Sequence, residues 1–202
     1  MENAVVEKLV VFVCTGNTCR SPMAEAIFRY EAKRRGLPLI VRSAGLEASA
    51  SGSMHLYSLR TLANHGLSIE NFTPTPLSEQ LMREAAAIVC MTEQQKELAA
   101  YCCTRVLGAE GAQKVYAFSD FCGYSIPDPY GQGVEVYEDT YKGLEGGMSA
   151  LIDFLFPQKP LSKSEKSTAK KKEAVKDTEK TATKKKTAGA RKGRPKKEKI
   201  TE

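Results

Sequence analysis

The chain has 202 residues, which suits one domain with an appendage and excludes two large domains. Hydrophobic residues make up 42% of the sequence, enough to bury a core, so disorder throughout is excluded. Charge is segregated: residues 158–202 hold 17 Lys or Arg against 6 Asp or Glu, whereas residues 1–157 hold 13 against 18. We therefore predict an acidic domain over residues 1–157 and a basic, Lys-rich, disordered tail over residues 158–202.

Alternating apolar runs and helix-forming stretches predict an α/β fold. In chain order, we predict a strand at 8–13, a helix at 22–35, a strand at 39–43, helices at 54–65 and 78–86, a strand at 87–91, a helix at 93–102, a strand at 115–118 and a helix at 137–155. Pro22 suits a helix start, Gly36 suits its end, and Thr92 with Gln95 matches a capping box. The order predicts a four-stranded parallel sheet with helices on both faces, a Rossmann-like arrangement that binds ligands beyond the carboxyl ends of its strands.

No apolar run reaches the roughly 18 residues of a membrane-spanning helix, and no secretory-type segment opens the sequence. We therefore expect a cytoplasmic protein without a membrane partner. The six cysteines lack a disulfide framework and a paired Cys-x-x-Cys spacing, so most are expected to be free thiols, and no metal or other cofactor is expected. Cys90, Cys102, Cys103 and Cys122 are expected to be buried small apolar residues. His55 and His65 are expected to be structural or exposed.

The loop after the first predicted strand reads CTGNTCRS over residues 14–21. It lacks the Gly-Lys-Ser/Thr ending of a nucleotide-binding loop, which excludes that chemistry. Gly16 permits a tight turn, and backbone N–H groups in such a turn, next to a helix N-terminus, form a cradle for phosphate. The positive electrostatic potential of these N–H groups and of the helix N-terminus also favours ionisation of a thiol, so we predict that Cys14 is a nucleophile. We further predict that Arg20 binds two phosphoryl oxygens through its planar guanidinium.

This loop, together with Ser-Ala-Gly at 43–45 and Asp-Pro-Tyr-Gly at 128–131, resembles the low-molecular-weight protein tyrosine phosphatase family over about residues 8–156. The resemblance implies that Cys14 attacks phosphorus to give a cysteinyl-phosphate. It implies that Arg20 and the loop amides hold the equatorial oxygens in the transition state. It assigns to Asp128 the roles of general acid and then general base.

The same resemblance assigns supporting roles. Asn17 is expected to hold the loop shape with support from Ser43, and Ser21 to stabilise the thiolate. Family members often place a histidine near position 71, so either Asn71 takes over that contact or the contact is absent. Residues expected to bind the substrate are Thr15, Gly16, Asn17, Thr18, Cys19, Ser21 and Tyr130.

Thr18 bears on substrate choice, because tyrosine-specific relatives usually carry a branched aliphatic residue there. A bacterial branch with this same loop hydrolyses phosphoarginine on proteins, and a hydroxyl at Thr18 suits attack on a P–N bond while Asp128 pairs with the guanidinium. We predict a phosphatase that acts on phosphoarginine, or else phosphotyrosine, of proteins. Relatives also use a vicinal cysteine to trap the oxidised nucleophile, which implies a reversible Cys14–Cys19 disulfide.

Two alternatives stay open. The first is an arsenate reductase, because related folds reduce arsenate through a cysteine relay, for which Cys90, Cys102 and Cys103 are candidates. The second is a nucleic-acid-binding protein in which the phosphatase fold is vestigial. The tail bears on the second alternative, since its Gly-Arg-Pro at 193–195 resembles an AT-hook and its cations suit a polyanion. We expect a monomer whose partners are phosphorylated proteins and, through the tail, nucleic acid.

Overall fold

The computed structural model describes residues 8–157, so the predicted tail and its Gly-Arg-Pro lie outside the described residues. Four parallel strands form one sheet in the order β2-β1-β3-β4. The strands are β1 (Lys8–Cys14), β2 (Leu39–Gly45), β3 (Ala85–Cys90) and β4 (Val115–Ala117). The predicted four-stranded parallel sheet is thereby confirmed. No helix within residues 8–157 combines the length and apolarity needed to span a bilayer.

Six α-helices connect or follow these strands. They are α1 (Arg20–Arg34), α2 (Leu56–Asn64), α3 (Glu79–Glu84), α4 (Glu93–Leu107), α5 (Ser119–Cys122) and α6 (Val134–Leu155), with a short 3-10 helix at Ala109–Lys114. Helix α1 begins before Pro22, at Arg20, so the proline occupies the third helical position. It is tolerated there because the N–H groups of the first turn have no partner within the helix.

The boundary between α3 and β3 differs from the prediction. Helix α3 ends at Glu84, and the alanines that we assigned to its last turn begin β3 instead. Ala85 pairs with Leu9 and Ala87 with Val10, which leaves Ala86 as an irregularity in the register. Pairing with the central strand has overridden the helix preference of alanine, a common outcome where tertiary contacts compete with local propensity.

Alternate residues of β1 face opposite layers of the core. Val10 and Phe12 pack with α1 and α6, whereas Val11 and Val13 pack towards α3 and α4. All four side chains are essentially inaccessible to solvent. A strand that is apolar on both faces is typical of a parallel sheet covered by helices on both sides, which confirms the predicted layering.

Helix α6 packs closely against the loop after β4 through a glycine. A Cβ atom at Gly147 would lie 2.4 Å from the ring of Phe118, closer than two carbon atoms can approach. The helix also starts at Val134, three residues earlier than predicted. Its apolar face includes Tyr137, Tyr141 and Leu144, all buried.

Candidate active site

The loop that joins β1 to α1, which we call the cysteine loop (residues 14–21), lies at the carboxyl edge of the sheet. It borders a cleft of about 230 Å³. The three residues predicted to be catalytic, Cys14, Arg20 and Asp128, all line this cleft. The other lining residues are Thr15, Gly16, Thr18, Cys19 and Tyr130. Asn17 and Ser21, also predicted to contact the substrate, are completely buried within the loop and do not line the cleft.

Cys14 is the last residue of β1, and its thiol lies at the base of the cleft. Its Sγ atom is 3.0 Å from Ser21 Oγ, and that hydroxyl is also 3.2 Å from the carbonyl oxygen of Ala44. The single hydroxyl proton of Ser21 can go to only one of these two acceptors at a time. It can therefore bond the carbonyl while Cys14 is a thiol, and turn to the sulfur once Cys14 is a thiolate.

Asn17 fixes the turn of the cysteine loop. Its backbone has a φ of 54°, in the left-handed region that asparagine tolerates better than most residues. Its Nδ2 donates to Ser21 Oγ over 2.9 Å, and its Oδ1 accepts from the backbone N–H of Thr75 over 2.8 Å. We expected either that Asn71 takes over the contact of the family histidine or that this contact is absent, and the backbone N–H of Thr75 makes it instead.

The support expected from Ser43 is wrong. The Ser43 hydroxyl donates to Glu25 Oε2 over 2.6 Å, because the alternation of β2 directs this side chain towards α1 rather than towards Asn17. Glu25 also accepts from Arg29. Burial raises the pKa of the Glu25 carboxyl, and the bonds from Ser43 and Arg29 oppose that rise without cancelling it.

Gly45 allows the end of β2 to lie directly beneath the loop. A Cβ atom at this position would be 2.6 Å from the carbonyl oxygen of Thr15 and 2.9 Å from the backbone nitrogen of Asn17. Backbone bonds of about 3 Å join Leu46 to Cys14 and Glu47 to Thr15 just beyond it. The Ser-Ala-Gly motif therefore acts through its glycine, which no larger residue can replace without displacing the loop.

Arg20 is buried at the start of α1 and aims its guanidinium across the cleft. One terminal nitrogen donates to the carbonyl of Ile126 over 3.2 Å, and the other forms an ion pair with Asp128 Oδ2 at 2.5 Å. Its Nε is buried and has no hydrogen-bond partner among residues 8–157. The half-exposed Asp128 is fixed in turn, since its Oδ1 accepts from the backbone N–H of Tyr130.

The sequence did not predict that two aromatic residues, Tyr137 and His55, support the cleft. The Tyr137 hydroxyl lies 3.4 Å from Cys19 Sγ, and burial with this contact raises the pKa of the phenol. His55 stacks on the ring of Tyr137, with centroids 5.0 Å apart. Its ring also meets the edge of the exposed Tyr130, and its backbone N–H donates to the carbonyl of Thr18. His55 is thus structural, as expected, but it supports the wall of the cleft.

Gln95 reaches the cysteine loop from α4. Thr92 caps the helix as predicted, by accepting from the backbone N–H of Gln95. The Gln95 side chain, however, does not return to Thr92 as a capping box requires; its Nε2 donates to Thr15 Oγ1 over 3.0 Å. Its Oε1 is buried without a hydrogen-bond partner in the described part of the chain.

The remaining cysteines lie away from the cleft lining. All six cysteines are free thiols, as predicted for most of them. Cys90 and Cys103 are buried as expected, and burial raises the pKa of both thiols, which suits inert core residues. Cys102 and Cys122 are only half-buried, contrary to the prediction.

The cleft combines a thiol at its base, a buried guanidinium on one side and a carboxylate at its mouth. Loop amides next to the start of a 15-residue helix add partial positive charge. A tetrahedral oxyanion fits such surroundings, and the thiol is placed to attack it from below. The arrangement therefore suits nucleophilic displacement at phosphorus.

Comparisons with known proteins agree with this geometry. Residues 9–167 match the family described as Low molecular weight phosphotyrosine protein phosphatase. A protein-arginine-phosphatase from Bacillus subtilis is 37% identical over 139 residues, which cover 67% of this chain and 89% of the relative. The low molecular weight protein-tyrosine-phosphatase Wzb of Salmonella typhi is 34% identical over 137 residues, covering 67% and 86%.

A solved structure of similar fold captures a phosphorylated residue. It is the YwlE arginine phosphatase with its active-site cysteine replaced by a serine that carries a phosphate. The two structures have a TM-score of 0.66 and 35% identity, over 73% of this chain and 95% of the other.

Proposed function

Because the chain belongs to the low molecular weight phosphotyrosine protein phosphatase family and is a protein phosphatase, we propose that its preferred substrate is phosphoarginine on proteins. One observation carries the proposal: Thr18, and not a branched aliphatic residue, lines the cleft that contains Cys14 and Asp128. The similarity to a relative named a protein-arginine-phosphatase supports the same choice.

The proposed reaction begins with attack of the Cys14 thiolate on phosphorus. The S–P bond forms as the P–N bond to the arginine side chain breaks, and Asp128 donates a proton to the departing nitrogen. The products are the cysteinyl-phosphate and the substrate protein with its unmodified arginine side chain. The phosphorylated serine of the YwlE variant supports a covalent intermediate at this position of the fold.

In the second step, water attacks the cysteinyl-phosphate. Asp128, now a carboxylate, takes a proton from the water as the O–P bond forms, and the S–P bond breaks to return the thiolate and inorganic phosphate. In both steps Arg20 and the loop amides hold the equatorial oxygens, and the Ser21 hydroxyl donates a hydrogen bond to the Cys14 thiolate as it attacks or leaves. No electron transfer is involved.

Recognition of the arginine side chain rests on hydrogen bonding. The N–H groups of phosphoarginine can donate to the unprotonated oxygen of the Asp128 carboxyl group once phosphate has replaced Asp128 beside Arg20, whereas the ring of phosphotyrosine offers no such donor. Tyr130, exposed for 69% of its surface, provides a flat wall for the side chain of the substrate. The Thr18 hydroxyl supplies a polar contact near the scissile bond that isoleucine would remove.

The test is phosphate release from peptides that are identical except for phosphoarginine or phosphotyrosine. Wild type, Thr18→Ile and the inactive control Cys14→Ser are compared. We expect a preference for phosphoarginine that collapses in Thr18→Ile. If phosphotyrosine is preferred and Thr18→Ile changes little, the substrate proposal is wrong, although the family assignment stands.

We further propose, from the sequence alone, that residues 158–202 attach this enzyme to nucleic acid and that it acts as a cytoplasmic monomer. The 17 cationic side chains of this segment are expected to make salt-sensitive contacts with phosphates. Retention of the full chain on DNA at low salt should be lost when residues 158–202 are deleted. Unchanged retention would refute the proposed binding to nucleic acid. Sedimentation of the full chain would test whether it is a monomer.

A further inference from the structure

A second groove, of about 430 Å³, continues from the catalytic cleft towards α4. The two share Thr15, Arg20 and Asp128, so a molecule bound in one borders the other. None of the roles proposed above uses the far part of this groove. That part is lined by Leu46, Glu47, Thr92, Gln94, Gln95 and Leu98.

Two leucines line the groove, one in α4 and one in the segment after β2. Leu98 is exposed for 47% of its surface, although it follows the first turn of a helix whose other face is packed into the core. Leu46 is half-buried against that core. An aliphatic chain that contacts both leucines is stabilised by removing them from water.

The charge of the groove is negative. Glu47 is exposed and forms no ion pair with any of residues 8–157, while its backbone N–H is held by the carbonyl of Thr15. The cation that also lines the groove, Arg20, is already neutralised by Asp128. At the start of α4, the Thr92 cap and the first-turn Glu93 offset the positive end of the helix.

The polar residues of α4 leave this negative charge uncompensated. The groove is lined from this helix by Thr92, Gln94 and Gln95, which are uncharged. Two leucines beside an exposed carboxylate suit a side chain with an aliphatic stem and a positive end.

We propose that this groove is a subsite for a lysine or an unmodified arginine that flanks the phosphorylated residue of the substrate. The proposal rests on the protein phosphatase function described above, and it holds for phosphoarginine and phosphotyrosine alike. Adjacent residues of a peptide have Cα atoms about 3.8 Å apart, so a neighbour of the residue in the cleft reaches the shared wall. Its stem then contacts Leu46 and Leu98, and its positive end pairs with the Glu47 carboxylate.

The experiment compares peptides that differ at one flanking position. Each peptide carries phosphoarginine or phosphotyrosine, with Lys, Gln or Glu beside it on one side or the other. Initial rates give kcat/KM for wild type, Glu47→Gln and Glu47→Lys. The matched control is Glu110→Gln, since Glu110 is exposed and lies in the 3-10 helix that leads to the amino end of β4, at the opposite edge of the sheet.

We expect wild type to prefer Lys over Glu by about two- to fivefold at low ionic strength, as for an exposed ion pair. The preference should shrink at high salt, vanish in Glu47→Gln and reverse in Glu47→Lys, while Glu110→Gln behaves as wild type. The ratio is taken within each variant, so any general change in turnover cancels.

Two results would overturn the subsite. One is an equal rate for Lys and Glu peptides in wild type, and the other is a Lys preference that survives Glu47→Lys. If the phosphotyrosine peptides are turned over faster than the phosphoarginine peptides, only the phosphoarginine proposal is refuted. The preference for a flanking lysine is then measured in the phosphotyrosine peptides. The two failures are therefore distinguishable.

Discussion

Arg20 and Asp128 form an ion pair across the mouth of the catalytic cleft, from the start of α1 to the loop that precedes α6. The Asp128 carboxylate thereby takes up an N–H donor of Arg20 that a phosphoryl group needs. A substrate must displace Asp128 from Arg20 before Asp128 can serve the leaving group. Without substrate, the general acid of the site is thus bound to the arginine that must hold the phosphoryl group.

Asp128→Asn should separate binding from turnover. We expect kcat to fall by about 100-fold or more, because the leaving group loses its proton donor. Inorganic phosphate should inhibit at a severalfold lower concentration, because it no longer competes with a carboxylate for Arg20. Steady-state kinetics with phosphate as inhibitor measures both quantities. Unchanged turnover would remove Asp128 from the reaction.

Ser21→Ala should weaken the nucleophile. The Ser21 hydroxyl is 3.0 Å from Cys14 Sγ, and a hydrogen bond to a charged acceptor contributes about 1.5–3 kcal/mol. We expect kcat and the rate of alkylation of Cys14 by iodoacetamide at neutral pH to fall together, by about tenfold or more. Ser21→Thr, which keeps the hydroxyl, serves as the control. An unaltered alkylation rate in Ser21→Ala would show that the hydroxyl does not act on the thiolate.

Cys19→Ser should impair recovery from peroxide. Cys14 and Cys19 line the same cleft, and a sulfenic acid on Cys14 can condense with the Cys19 thiol, releasing water and forming a disulfide. We expect wild type to regain activity on reduction, and Cys19→Ser to regain less than half as much. Cys102→Ser, outside the cleft, is the matched control. Equal recovery of all three proteins would exclude the disulfide.

Glu25→Gln should alter how stability depends on pH. The folded protein binds the Glu25 proton more tightly than the unfolded chain does, since burial raises the pKa above its ordinary 4.5. Wild type therefore loses stability, relative to Glu25→Gln, as the pH rises through 4.5 and up to the raised value. Urea unfolding of both proteins at several pH values measures the difference. A difference that stays constant with pH would contradict the shift.

The sequence was sufficient for the sheet and for the cysteine loop, because both follow from short-range signals. Strand β1 is a continuous apolar run, and the cysteine loop is eight consecutive residues. Asp128 was predicted only through a family resemblance, since 108 residues separate it from Arg20. Local patterns cannot supply such a pair.

What the sequence could not supply is the set of contacts behind the loop. Thr75 acts through its backbone N–H, which leaves no trace in residue type. Gln95 fitted a capping box, and nothing in that motif directs its side chain to Thr15 instead. The error for Ser43 has the same origin, because its partner was decided by the face of β2 on which it lies.

Strand β2 is at the edge of the sheet, yet its last residues form the base on which the cysteine loop rests. Its pairing with β1 and a backbone bond from Gly45 to Thr75 hold that end in place. Edge strands exchange their amide hydrogens through local opening more readily than central ones. Loss of catalysis in mild denaturant is therefore expected to precede the loss of helical circular dichroism, so that activity monitors the opening of one strand rather than the unfolding of the whole domain.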